Sequence, residues 1–105
     1  MEQKRINFDL DYIDAIMGRK KVTTIRKGIK RYPVGRVVEL TANSRPFAMA
    51  KIEKVVVKRV KELTDADARL DGFNSRDELL EALRRIYGNI RNEEFVTVVH
   101  FTLIE

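Results

Sequence analysis

Apolar positions recur along this chain with two periods, and the change from one to the other divides it into elements. Leu10, Ile13 and Met17 return at helical spacing, which predicts a short helix over 9–17 with Asp9 as its cap and Gly18 where a helix-ending glycine belongs. Val22 to Arg26 is rich in β-branched residues and reads as a strand. Gly28 and the run Tyr32-Pro33-Val34-Gly35 read as turns. Val37 to Leu40 is a strand, 43–46 a turn, and Phe47 to Val60 a long strand. Ile52 and Val55-Val56-Val57 do not share one period of two, so a bulge or bend is expected there. Thr64 opens a helix to about Leu70, and Gly72 closes it. Ser75 with Glu78 three residues on is a capping-box pattern for a second helix, whose stripe is Leu79, Leu83, Ile86 and Tyr87 and whose end is Gly88. Phe95 to Ile104 is the last strand. Its apolar residues fall on both faces, as in a central strand.

The order is helix, strands, two helices, strand. This excludes a regular βαβ alternation and predicts an α+β fold built on a small, mixed, mostly antiparallel β-barrel with flanking helices. At 105 residues, with 44% hydrophobic and 35% charged, the chain reads as one globular domain over 1–105, with no repeat, linker or low-complexity tract.

Charge adds a focus. Residues 19–36 hold eight cations (Arg19, Lys20, Lys21, Arg26, Lys27, Lys30, Arg31 and Arg36) and no anion, in a chain of net charge +5. Such clustering points to an anionic partner such as RNA. Lys54, Lys58, Arg59 and Lys61 form a second basic group, which either extends a phosphate track or keeps an edge strand soluble. Arg84 and Arg85 read as a solvated helix face. Abundant Lys, Arg and Glu beside a single glutamine is a heat-adapted composition.

The exclusions are firm. There is no cysteine and one histidine, His100, which reads as a partly buried strand residue. Thiolate chemistry, cysteine metal sites and histidine-driven triads are therefore out, and no metal or cofactor is expected. No apolar run is long enough to span a bilayer and no leader is visible, so a cytoplasmic protein without membrane contact is expected.

Chemistry concentrates at 18–26. On a strand, Thr24 and Arg26 share a face with Val22, while Thr23 and Ile25 point oppositely. Lys21 lies just before the strand, and the sequence leaves open whether it or Lys20 meets a ligand. Lysine and arginine donors beside hydroxyls suit phosphate or a base edge. Among other cations, Lys21 has its charged form disfavoured. As a neutral amine it could take the proton of Thr24 and make that oxygen a nucleophile.

The segment GRKKVTTIR resembles the signature of the ASCH domain family, Gly-x-Lys-x-x-Thr-x-Arg after the first helix. It maps onto Gly18 or Arg19, Lys21, Thr24 and Arg26. Tyr32-Pro33-Val34-Gly35, Asp71-Gly72-Phe73 and the final FTLIE are similar to further family features, in the manner of its small stand-alone archaeal and bacterial members. The resemblance implies a PUA-like barrel with a basic cleft for RNA or a modified nucleoside. Arg19, Lys20 and Lys27 would attract phosphate, Lys21, Thr24 and Arg26 would line the floor, and Tyr32 or Phe73 could stack on a base. Some small members resemble amidohydrolases acting on N4-acetylcytidine. Their lysine, threonine and glutamate would carry over as Lys21 (base), Thr24 (nucleophile) and Asp71 (acid), Asp71 being one methylene shorter than the family's glutamate. Glu78 is the nearest alternative carboxylate and reads better as a helix cap. Ribonuclease activity and a protein-interaction adaptor are the other readings. Phe47, Phe95 and Phe101 are expected in the core.

Overall fold

The computed structural model describes residues 4–104. Five strands form one sheet: β1 (Arg5–Phe8), β2 (Thr23–Lys27), β3 (Val37–Ala42), β4 (Arg45–Arg59) and β5 (Phe95–Ile104). Their order is β1-β3-β4-β5-β2. Only β1 with β3 runs parallel; the other pairs are antiparallel. The sheet curls into a half-barrel, flanked by α1 (Ile13–Met17), α2 (Asp65–Leu70) and α3 (Arg76–Tyr87).

The expected α+β, mostly antiparallel architecture is the one found, and β5 is central. Val96 and Val98 face a core shared with Leu63, with Ala68 of α2 and with Leu79, Leu80 and Leu83 of α3. Val99 and Phe101 face a second core with Ile6 and Phe8 of β1, Ile16 of α1, and Ile52. Two cores, one on each face, explain why β5 alternates between apolar sets rather than between apolar and polar.

The phase slip in β4 is a β-bulge: Ile52 pairs with Phe101 and Lys54 with His100, leaving Glu53 unpaired. A second shift falls between Leu40 and Thr41. Asn43 and Ser44 alone join β3 to β4, both with positive φ (50° and 64°), as a two-residue hairpin requires.

Some expectations fail, each for a local reason. β1 is absent from the sequence reading because four residues, two of them apolar, give too short an alternation. The helix expected at 9–17 is a 3-10 turn (Leu10–Tyr12) running into the five-residue α1, and the Asp9 side chain caps neither. The tighter first turn shifts the phase, so Ile16 is buried while Leu10 and Met17 lie in solvent. Ile86 is exposed; Leu79, Leu80, Ala82 and Leu83 carry the inner face of α3. Phe95 is not core: at the start of β5 it is exposed, under the guanidinium of Arg59 at 4.6 Å. Phe101 is buried, and Phe47 is half-buried with its ring edge-on to Phe8 at 6.3 Å.

Candidate functional site

Two tethers bring α2 against the start of β2. The N–H of Val22 donates to the carbonyl of Leu70, the last residue of α2, at 2.8 Å. Gly72, at φ +93°, then turns the chain directly over Lys21. A Cβ on Gly72 would lie 3.3 Å from the Lys21 Cβ, so a side chain there would meet both the wrong φ and a filled space.

This docking buries an ion pair. Lys21 is 4% exposed and Asp71 5%. Lys21 Nζ donates to Asp71 Oδ1 at 2.9 Å and to the Asp71 carbonyl at 3.3 Å. Thr23 Oγ1 donates to the same Oδ1 at 2.9 Å. Burial pushes the Lys21 ammonium below its ordinary range. The charge and hydrogen bond of Asp71 oppose that shift, and Arg26 adds to it. Burial pushes Asp71 up, against the attraction of Lys21, Thr23 and Arg26. Desolvation thus favours the uncharged form of both partners.

On the other face of β2, Arg26 Nε donates to Thr24 Oγ1 at 2.9 Å, and its terminal nitrogen donates to the Asn7 carbonyl at 2.8 Å. Thr24 and Arg26 therefore do share a face. Rings close the site: Lys21 Nζ lies 5.0 Å from the Tyr12 ring centroid, the Arg26 guanidinium 5.2 Å from that of Phe8, and Tyr12 meets Phe73 edge-on at 6.4 Å. Burial, then the charge of Asp71, raises the Tyr12 hydroxyl above its ordinary value.

A cavity of about 410 Å³ opens onto these groups. Lys21, Thr24, Arg26 and Asp71 form its polar end; Tyr12, Phe73 and the apolar side of α3 form its walls. That size suits a nucleoside-sized ligand. Among the described residues there is no cluster of three or more His, Asp or Glu that could hold a metal. None of their helices is long and apolar enough to cross a membrane.

The remaining expected residues lie elsewhere. Arg19, Lys20 and Lys27 are exposed, and Lys27 faces Glu94 at 3.9 Å. Tyr32 packs on the second core under Lys4, whose Nζ lies 4.3 Å from its ring centroid, and is not in the cavity wall. Glu78 is a cap: its backbone N–H donates to Ser75 Oγ, and its carboxylate accepts from Asn74 N–H. In the second basic group Lys58 pairs with Asp67, and Arg59 and Lys61 share the single carboxylate of Glu93. His100 is half-buried in a second cavity beside Lys54, and burial pushes its imidazole down. Sequence reasoning missed Phe8 and Tyr12. The alternation of Ile6 and Phe8 was the signal for the first; nothing in the sequence marks the second.

A model of the ASCH domain family matches residues 4–105. The chain belongs to the ASCH domain family. Solved structures agree on the fold. An ASCH domain of Lactobacillus crispatus superposes with TM-score 0.75 at 18% identity, over 86% of this chain and 68% of that one. The ASCH protein of Zymomonas mobilis gives 0.70 at 17%, over 93% and 65%. A protein of Enterococcus faecalis gives 0.71 at 13%, over 99% and 82%. This ASCH domain thus spans about two thirds of the length of the first two. Comparison with curated proteins found no match.

Proposed function

We propose that this ASCH domain is an amidohydrolase that deacylates an N4-acylated cytidine-type nucleoside in the 410 Å³ cavity. The observation that carries the reading is the buried Lys21–Asp71 pair in the same cavity wall as Thr24, whose oxygen is polarised by Arg26. A buried amine and a buried acid, each pushed towards neutrality, are what proton transfer at neutral pH needs.

The steps balance. Thr24 Oγ attacks the amide carbonyl carbon while its proton passes to Lys21 Nζ. The C–N bond breaks, and the proton of the Asp71 carboxyl goes to the departing nitrogen. Water then attacks the Thr24 ester and gives a proton to Asp71. The Lys21 proton returns to the Thr24 oxygen as the free acid leaves.

RNA binding, the property associated with this family, is the second reading. Exposed Arg19 and Lys20 favour it. Against a long phosphate track stands the dispersal of the 19–36 cations: Lys21 is buried on Asp71, Arg26 is spent on Thr24 and Asn7, and Lys27 faces Glu94.

The test is hydrolysis of N4-acetylcytidine by the purified protein. Cytidine release, lost in Thr24→Ala and in Lys21→Ala, supports the proposal. No release from a folded protein overturns that substrate and leaves RNA binding.

A further inference from the structure

Thr23 lies on the face of β2 opposite Thr24, fully buried and outside the cavity wall. Its hydroxyl nevertheless reaches Asp71, donating to Oδ1 at 2.9 Å. That oxygen already accepts from Lys21 at 2.9 Å, so it holds two strong donors. The other oxygen, Oδ2, accepts from no protein group among the described residues. Nor is it sealed: among their side-chain polar atoms, only Glu94 Oε2 is both buried and without a partner. Since Asp71 lines the cavity, Oδ2 is the oxygen open to it.

We propose that Thr23 is a positioning residue for Asp71: it fixes the carboxyl so that Oδ1 is occupied by donors and Oδ2, the oxygen that carries the transferable proton, faces the substrate. This rests on the hydrolytic reading above. A proton cannot reside on an oxygen that two donors already address, so it goes to Oδ2. Oδ2 then has an unobstructed path to a leaving nitrogen. Valine would suit the strand equally well and has nearly the same size, so strand formation does not call for this hydroxyl.

Asp71 is faced by Lys21 and by Arg26 of β2, and its charge also acts on the Tyr12 hydroxyl. Tyr12 in turn feels Arg85 of α3 together with Asp9 and Asp11. None of these changes when Thr23 is replaced, so a shift in Asp71 reports the lost hydroxyl.

The experiment follows the Asp71 carboxyl by carbon-detected NMR titration, without substrate, in wild type, Thr23→Val and Thr23→Ser. Removing a donor to the charged form moves Asp71 to higher pH in Thr23→Val, and Thr23→Ser restores it. With N4-acetylcytidine, kcat in Thr23→Val falls roughly 10- to 100-fold at unchanged KM, because the carboxyl is no longer held in line with the leaving nitrogen, and the fall persists at pH values where Asp71 is protonated in both proteins. Should Thr23→Val not fold, Thr23→Ala gives the same titration test. An Asp71 titration identical to wild type in the Val or Ala variant overturns the proposal, as does a serine variant that fails to restore it. A shifted titration in a protein that hydrolyses no amide upholds Thr23 as the positioning residue and removes the hydrolytic reading alone.

Discussion

The backbone N–H of Val22 donates to the carbonyl of Leu70 at 2.8 Å, and this bond makes neighbours of two segments that the sequence holds fifty residues apart. One residue before Val22 stands Lys21, and one after Leu70 stands Asp71. Docking of the end of α2 on the start of β2 is therefore what lets the shorter carboxylate reach the amine.

Removing one partner of that pair strands the other. At neutral pH Asp71→Ala is expected to cost about 3–5 kcal/mol, while Lys21→Met combined with Asp71→Leu recovers most of the loss. Urea denaturation of the two single variants and the double variant measures the coupling.

The chemistry needs Lys21 without its proton and Asp71 with one. Burial lowers the first and raises the second. The rate should climb with pH through a limb below 10.5, the ordinary lysine value, and fall through a limb above 3.8, the ordinary aspartate value. Both limbs belong to the coupled pair. Arg26 helps depress Lys21, so in Arg26→Gln the rising limb moves to higher pH. A pH–rate profile of both proteins reads this.

Asp67 gives the opposite sign. Burial pushes its carboxyl up, yet the hydrogen bonds from Lys58 and Thr64 and the charge of Lys58 outweigh burial and leave it below 3.8. The folded state thus binds its proton more weakly than the unfolded chain. The stability this contributes is present above 3.8 and is lost as pH falls through the folded value. Asp67→Asn should lower the denaturation midpoint at pH 7 and flatten its decline in acid.

Gly72→Ala introduces a Cβ at φ +93° and 3.3 Å from Lys21. A stability loss of roughly 1–3 kcal/mol is expected. Hydrolysis should fall by more than the unfolded fraction explains, because the contact that yields is the Lys21 stem. Thermal melts beside rate measurements separate the two effects.

A nucleoside carries no phosphate, so hydrolysis should change little between 50 and 200 mM salt, whereas RNA affinity should fall steeply. Replacing Lys20 and Lys27 by alanine should weaken RNA and leave hydrolysis intact. Unchanged RNA binding in that variant removes the basic-segment account.

The long elements were legible because each buries a periodic face. The β5 limits, the bulge near Ile52 and the caps at Thr64 and Ser75 all follow from spacing and local hydrogen bonding. The motif Lys21, Thr24 and Arg26 was legible as a cluster because strand alternation places Thr24 with Arg26. Asp71 came from family resemblance alone, since no local rule relates residue 71 to residue 21. The cations of 19–36 misled as a group: proximity in sequence suggested one surface, whereas the fold sends Lys21 inward and Lys27 to Glu94. Thr23 drew no attention because a strand threonine is ordinary until its partner is known.

The sheet order has a consequence in time as well as in space. β2, which carries Thr23, Thr24 and Arg26, lies at the end of the order and pairs with β5 only, between residues 69 to 77 positions apart in the sequence. Until 95–104 take their place between β4 and β2, the strand that carries Thr24 and Arg26 has no partner in the sheet. Thr24 and Arg26 therefore join the sheet only through a pairing made from the far end of the chain, a contact of high sequence separation.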